Sequence, residues 1–244
     1  MKSIILAAGY ATRMYPLSLN TPKPLLEIRG KAILDWTMED LLPLTEECIV
    51  VTNARYTPQF QIWAAGYGEK VRVLNDGTDS NESRRGAVGD LLFAVHSLGI
   101  REDVFVMGGD NLLEFSLKGF FSFAEKMQSS CVMYSREPDR EKRKKTGIIT
   151  IGQNGRITDF AEKPQEPASD LAVPPFYYYK AEDVARLPKA ISEGCGIDAP
   201  GSFASWVSKN SVMYAWPMPG RRLAIGDVEA YHTAQKTFQG RRCQ

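Results

Sequence analysis

The sequence predicts an α/β fold of the Rossmann-like type, in a single domain whose mostly parallel central sheet is flanked by helices. In the first half of the chain, apolar runs rich in β-branched residues alternate with segments of helical periodicity, a pattern typical of βαβ units. The 244 residues, of which 43% are hydrophobic, can form one sizeable core. We therefore expect one domain that spans residues 1–244.

The expected elements follow from these runs. The first half should contain buried strands at residues 4–6, 48–52, 71–74 and 104–107, with helices at residues 33–42, 59–67 and 87–98. The second half should contain strands at residues 130–134, 147–151, 157–161, 176–180 and 212–216, with helices at residues 181–192, 203–208 and 226–238. Gln153–Gly155 is typical of a hairpin turn. Since ligands of α/β sheets collect at the carboxyl ends of the strands, the loops that leave those ends are the candidate sites.

Composition argues against several classes of partner. Thirty basic and twenty-nine acidic residues give a formal net charge of +1, so no global field attracts nucleic acid or an acidic membrane. The four cysteines lack C-x-x-C spacing, which argues against structural zinc and fits reduced thiols. Only six residues precede the first loop, too few for a signal peptide, and no apolar run approaches the roughly 18 residues of a membrane span. We expect a cytoplasmic protein with no nucleic acid or membrane partner.

The loop after the first strand has the features of a polyphosphate site. The small residues 7–9 let backbone N–H groups approach a ligand closely. Thr12 adds a hydroxyl, and Arg13 adds a permanent fork of donors that suits phosphate oxygens. Lys23 lies between two prolines, so it loses less conformational freedom when it meets an anion. Together these residues predict a cradle for a polyphosphate.

Other interpretations of this loop are available from the residues alone. A strand followed by a small-residue turn is common in α/β proteins, and a lone Arg or Lys is usually a solvated surface group. Two well-known phosphate loops are excluded, because neither the G-x-G-x-x-G nor the G-x-x-x-x-G-K-[ST] spacing is present here.

Residues 9–25, GYATRMYPLSLNTPKPL, resemble the signature of the sugar-phosphate nucleotidylyltransferases, G-x-[GA]-T-R-x-x-P-L-[ST]-x-x-x-P-K-[PA]-L. Those enzymes join a nucleoside triphosphate to a sugar 1-phosphate and release pyrophosphate. The resemblance implies a nucleotidyltransferase fold with a nucleotide-binding half at about residues 1–128 and an acceptor-binding half at about 129–244. It implies catalytic roles for Arg13, Lys23 and Lys163. Relatives are often dimers or tetramers, which leaves a homo-oligomer open.

The resemblance also implies the nucleotide contacts and a preference for a pyrimidine base. Backbone and side-chain contacts to the nucleotide are expected from Leu6, Ala7, Ala8, Gly9, Tyr10, Ala11, Thr12, Asn75, Asn81, Gly86, Ala87 and Asp110. Arg84 and Arg85 are either base contacts or plain loop residues.

Two aspartates are implied as ligands of Mg²⁺, the expected cofactor. Asp110 follows an apolar strand and two glycines, a suitable place for a magnesium carboxylate, although an ordinary Asp-Asn turn would look the same. Asp227 is the carboxylate that best matches the family's second ligand, because the chain has Ala224 where the family has Asp. A helix N-cap is the alternative for Asp227.

The acceptor site is implied by Lys163, which matches the lysine of the family's E-K-P segment. Phe176 and Tyr178 are expected to contact the acceptor, since residues 174–179 replace the family's hexose-binding N-[TA]-G-[IV]-Y segment. Such an aromatic wall would suit a smaller or cationic phosphorylated alcohol, whereas alternation in a strand would place these rings in the core.

Three functions therefore remain. The first is transfer of a nucleoside monophosphate to a sugar 1-phosphate, in which ionised phosphates need countercharge but no general base, so that His96 and His232 are expected to be structural. The second is a cytidylyltransferase acting on a small phospho-alcohol or phosphonate. The third is a catalytically silent nucleotide-sugar sensor.

Overall fold

The computed structural model describes residues 1–241, so Cys243 lies outside the described residues. The chain divides into two compact units, each assembled from separate stretches. The first unit consists of residues 2–84, 108–118 and the stretch from 219 onward, and the second consists of Met1 and residues 85–107 and 119–218. This division differs from the expected halves, because the chain leaves the first unit after residue 84 and returns to it twice.

Within residues 1–241, the strands, numbered in chain order, are β1 Lys2–Leu6, β2 Glu27–Ile28, β3 Lys31–Ala32, β4 Glu47–Thr52, β5 Val71–Asn75, β6 Val104–Gly108, β7 Asn111–Leu113, β8 Ser130–Arg136, β9 Gly147–Ile151, β10 Ile157–Glu162, β11 Leu171–Val173, β12 Phe176–Tyr179, β13 Met213–Pro217 and β14 Arg222–Ala224.

The α-helices of the same residues are α1 Ile33–Leu41, α2 Thr57–Ala64, α3 Ala87–Ser97, α4 Lys118–Met127, α5 Arg140–Arg143, α6 Ala181–Val184, α7 Leu187–Ser192, α8 Gly201–Asn210 and α9 Val228–Thr237. Short 3₁₀ turns lie at Thr12–Met14, Lys23–Leu25, Ala65–Lys70 and Gln153–Gly155. No helix among the described residues is both long enough and apolar enough to cross a membrane.

The first unit contains the parallel strands that the sequence predicts. β4 lies between β1 and β5, with Ile4 opposite Ile49 and Val51 opposite Leu74. These strands are rich in β-branched residues, and Ile4 and Ile49 are fully buried. Because β1 and β4 are parallel, the loop at residues 7–13 leaves the sheet at the carboxyl ends of the strands.

A second cluster of apolar side chains anchors this loop to the end of the chain. Met14, from the loop, is fully buried with Leu112, Leu223, Ile225 and Phe238. β7 pairs with β14 in antiparallel fashion, and the Ile225 N–H donates to the Asp110 carbonyl over 2.9 Å. The C-terminal segment therefore fixes the backbone beside Asp110.

The second unit is mostly antiparallel. Its strands follow the order β10-β9-β11-β8-β12-β6, and β13 pairs with β8 in parallel. The predicted turn at Gln153–Gly155 joins β9 to β10, with Asn154 and Gly155 at positive φ. The expected helix at 181–192 is wrong as one element, because α6 ends at Val184 and a separate helix, α7, begins at Leu187 with Pro188 in its first turn.

Candidate active site

A cavity of about 400 Å³ opens in the first unit where β1 ends. It is lined by the glycine-containing loop, by three cationic side chains and by the segment after β6. The lining residues are Leu6, Ala7, Gly9, Tyr10, Ala11, Thr12, Arg13, Lys23, Pro24, Asn81, Arg84, Gly109 and Asp110. The structure therefore brings together ten of the expected catalytic and nucleotide-binding residues, and with them Arg84, the possible base contact.

Side chains from neighbouring segments hold the loop open. Asn53 is fully buried, and its amide donates to the Ala8 carbonyl over 2.8 Å. The Ser18 hydroxyl donates to the carbonyl of Ala11, which adopts left-handed backbone angles with φ 48°. Among the described residues, the N–H groups of residues 9–12 have no acceptor. An anion in the cavity would supply one.

Lys23 and Asp110 form an ion pair in this cavity. Lys23 Nζ lies 2.6 Å from Asp110 Oδ2, and the two side chains are 16% and 32% exposed. Lys23 begins a short 3₁₀ turn and is flanked by the two prolines noted in the sequence. From this turn its ammonium group donates a hydrogen bond to the Asp110 carboxylate. Arg13 is exposed and lines the same cavity. The cavity thus carries more positive than negative charge.

Two expected nucleotide or metal residues lie elsewhere in this unit. Asn75 is exposed, and its side chain accepts a hydrogen bond from the Gly77 N–H over 2.9 Å. Asp227 caps α9, where its Oδ1 accepts from the Ala230 N–H over 2.8 Å, and it does not line the cavity. In the structure Asp227 is therefore the N-cap of α9. The role of Asp227 as a metal ligand stays a prediction.

Candidate magnesium ligands do not form a cluster among the described residues. Residues 1–241 contain no group of three or more His, Cys, Asp and Glu side chains that could hold a metal ion. Mg²⁺ is commonly held by one or two carboxylates together with water and substrate phosphates. Asp110, partly exposed in the cavity, fits an ion that arrives with a triphosphate and does not by itself make a resident metal site.

Gly86 and Ala87, expected beside the base, lie in the second unit at the start of α3. Gly86 has φ +80°, and a Cβ there would lie 2.5 Å from the Ile197 carbonyl oxygen. The N–H of Ala87 donates to Asp198, and that of Val88 donates to Ile197. The backbone N–H groups at the start of α3 are therefore hydrogen-bonded to residues 197–198. The close approach of this segment leaves no room for a side chain at position 86, which explains the glycine there.

Lys163 follows β10 at the edge of the second unit. It is exposed, has a left-handed φ of 47°, and its N–H donates to the Thr146 carbonyl over 3.1 Å. Because the side chain is exposed, it is accessible to an anion.

The residue before it, Glu162, was not singled out from the sequence. Burial raises the pKa of its carboxyl to about 7, and the charge of Lys163 offsets only part of that effect. The carboxylate packs against two glycines: a Cβ at Gly147 would lie 2.9 Å from Glu162 Oε2, and one at Gly201 would overlap it. It lines a cavity of about 410 Å³ that also includes Ser202. The sequence signal that could have pointed to it is its place between the predicted strand at residues 157–161 and a Lys-Pro pair.

The expected acceptor contacts from Phe176 and Tyr178 require a correction. All four residues of β12 are buried, because the strand lies between β6 and β8. Phe176 is 0% exposed, and the Tyr178 hydroxyl donates to Asp103 Oδ2 over 3.0 Å. In this structure the two rings present no surface to a ligand, as the core interpretation of the strand predicts.

The chain is similar to nucleotidyl transferases over almost its whole length. A family model described as Nucleotidyl transferase matches residues 2–239. The UTP–glucose-1-phosphate uridylyltransferase of Haloferax volcanii is 26% identical, and the match covers 98% of this chain and 97% of that protein. The mannose-1-phosphate guanylyltransferase catalytic subunit beta of Drosophila melanogaster is 28% identical over 76% of this chain, which spans only 50% of that relative.

A solved structure agrees on the fold. The crystal structure of UDP-glucose pyrophosphorylase complexed with UDP-glucose matches with a TM-score of 0.80 at 21% sequence identity, covering 97% of each chain. The predicted α/β class is confirmed.

Proposed function

The chain belongs to the nucleotidyl transferase family, and we propose that it transfers a nucleoside monophosphate from a nucleoside triphosphate to a sugar 1-phosphate, with release of pyrophosphate. The observation that carries the proposal is the cavity at the end of β1, where unpaired backbone N–H groups lie with Arg13 and Lys23. The relatives named above are transferases of this type for glucose 1-phosphate and mannose 1-phosphate.

The chemistry is governed by charge. Two unit charges about 4 Å apart repel by about 4 kcal/mol at an effective dielectric constant near 20, and each substrate carries more than one charge. Arg13 would bind the phosphates that leave as pyrophosphate, while the N–H groups of residues 9–12 would bind phosphate oxygens. Lys23 would move from Asp110 to the triphosphate. The acceptor phosphate is ionised at neutral pH, so these residues act by positioning and countercharge.

We propose that Asp110 holds Mg²⁺ when the triphosphate binds. Bound there, the ion would neutralise part of the phosphate charge. Asp227 is the candidate second ligand. To bind the ion, its carboxylate would have to release or share the hydrogen bond that it accepts from the Ala230 N–H at the start of α9.

For the acceptor, we propose that Lys163 binds the sugar phosphate and that Glu162 accepts hydrogen bonds from sugar hydroxyls. The Glu162 carboxylate is partly buried and forms no salt bridge among the described residues, so the hydroxyls of a polyol would supply the hydrogen-bond donors it lacks. The aromatic residues that would favour a cationic phospho-alcohol lie in the core, so no observation now favours that acceptor. A cytoplasmic location and a homo-oligomer remain predictions.

The test is a matrix of UTP, dTTP, CTP, GTP and ATP against glucose 1-phosphate, mannose 1-phosphate and phosphocholine, with pyrophosphate release as the measurement. We expect release with a sugar 1-phosphate and Mg²⁺, with UTP or dTTP preferred. Release with phosphocholine alone would favour the phospho-alcohol alternative. Nucleotide-sugar binding without release from any pair would identify a silent sensor.

A further inference from the structure

A hydrogen-bonded chain of side chains leads away from Asp110 to the other strand of the β7–β14 pair. Asn111 is 1% exposed, and its Nδ2 donates to Asp110 Oδ1 over 3.0 Å and to the Gly108 carbonyl over 2.9 Å. Its Oδ1 accepts from Arg222 Nη1 over 2.7 Å. The chain therefore connects a carboxylate of the cavity to a guanidinium that is not part of it.

The chemistry of the partners fixes which way the Asn111 amide points. A guanidinium can only donate, whereas a carbonyl and an ionised carboxylate can only accept. If the amide were flipped, its oxygen would face two acceptors and its NH₂ group would face a donor. Arg222 thus holds the amide in the orientation that donates to Asp110.

We propose that Arg222 is a positioning residue for Asp110, acting through Asn111. Asp110 Oδ1 is held by the buried amide, and Oδ2, which pairs with Lys23, is the oxygen that can exchange its partner for another cation. A carboxylate fixed in this way loses little freedom when a divalent ion binds, as is typical of groups that orient metal ligands. The proposal rests on the proposed function, because it assigns Asp110 to an ion that accompanies the triphosphate.

The structure offers a matched control in the adjacent residue. Arg221 is 47% exposed, and it donates to Thr237 Oγ1 over 2.9 Å and lies 3.7 Å from Glu114. It carries the same charge, yet it does not contact Asn111. Arg221→Met and Arg222→Met therefore remove the same charge from neighbouring positions, and only the second breaks the chain to Asp110.

The measurement is the affinity for UTP, dTTP and GTP by calorimetry, once with Mg²⁺ and once with EDTA. We expect Arg222→Met to reduce the gain in affinity from Mg²⁺ by about tenfold or more while affinity in EDTA stays close to wild type. Arg221→Met should keep the wild-type gain. Arg222→Lys, which retains one donor, should recover most of it. In turnover, Arg222→Met should lower kcat and leave the KM for the sugar phosphate unchanged.

An unchanged Mg²⁺ gain in Arg222→Met would overturn the proposal, and so would an equal loss in Arg221→Met, which would indicate a general field effect. If the methionine variant does not fold, Arg222→Gln, polar but too short to reach Asn111, serves the same comparison. Wild-type protein that binds triphosphate with a Mg²⁺ gain but releases no pyrophosphate would count against the proposed function alone. Wild-type protein with no Mg²⁺ gain would overturn this inference.

Discussion

At the scale of single residues, the site depends on charges placed where water is partly excluded. Lys23 and Asp110 neutralise each other across 2.6 Å, whereas Glu162 forms no salt bridge within residues 1–241, and burial raises the pKa of its carboxyl to about 7. The loop residues and Asp110 could be predicted from the sequence, because small residues, prolines and an aspartate at a strand end act locally. Glu162 could not, since its pKa depends on glycines from two distant segments.

Replacement of Asp110 by Asn, or of Lys163 by Ala, should lower turnover about a hundredfold or more while the fold is retained. Asn keeps the shape of Asp110 but not its charge, and Ala removes the cation assigned to the acceptor phosphate. Steady-state pyrophosphate release measures both. Lys145→Ala, which removes an exposed lysine from the same unit as Lys163, is the control and should stay near the wild-type rate. A near-normal rate in either test variant would remove the role assigned to that residue.

Replacement of Glu162 by Gln should stabilise the protein at pH 8 and leave its stability nearly unchanged at pH 4.5. The folded-state pKa of about 7 lies above the ordinary value of 4.5, so the folded state binds the proton more tightly than the unfolded chain. Ionisation therefore lowers wild-type stability as pH rises from about 4.5 to about 7, and the loss is complete above that range. The gain at pH 8 should be a few kcal/mol at most.

Urea unfolding at the two pH values measures this difference. Glu182→Gln, at an exposed position, serves as the control. If the Gln variant gained as much at pH 4.5 as at pH 8, a buried ionisable Glu162 would not be the cause.

At the scale of elements, length decides what the sequence can predict. β1, β4 and β6 are runs of apolar residues and were expected within one or two residues of their observed bounds. β7 and β14 contain only three residues each, too few for a periodic pattern, and they were not expected. Yet their pairing places Arg222 beside Asn111, residues separated by 111 positions in the chain. That contact is set by tertiary structure alone.

The start of α3 gives a prediction at this scale. Gly86 has φ 80° and ψ 161°, a region that essentially only glycine occupies, and a Cβ there would meet the Ile197 carbonyl at 2.5 Å. Gly86→Ala should therefore displace the segment at 197–198 and lower the free energy of unfolding by about 3 kcal/mol.

Gly77→Ala is the matched control, because Gly77 has φ +81° but no atom within 4 Å of its would-be Cβ. It should cost only the backbone strain, about 1 kcal/mol. Thermal or urea denaturation of the two variants measures the difference. Equal losses would mean that the contact with Ile197 contributes nothing.

At the scale of the whole molecule, the two units are each built from stretches that are distant in sequence. The loop at residues 7–13 and the C-terminal helix α9 belong to one unit, while residues 119–218 form most of the other. The boundary near residue 128 was expected from the family resemblance, and it divides the chain into two continuous halves. Residues 108–118 and the stretch from 219 onward belong to the first unit because of tertiary contacts, which do not change the local composition of the chain. The sequence alone therefore could not predict this division.

The most direct test of the central claim is amide hydrogen exchange of residues 9–12 with and without UTP or dTTP and Mg²⁺. Among the described residues these N–H groups have no acceptor, so they should exchange fast in the free protein. At about ten times Kd, a triphosphate that accepts their hydrogen bonds should slow exchange about tenfold. The 3₁₀ turn Ala65–Lys70, outside the cavity, should not change. Unchanged exchange at residues 9–12 while the triphosphate is bound would contradict the account.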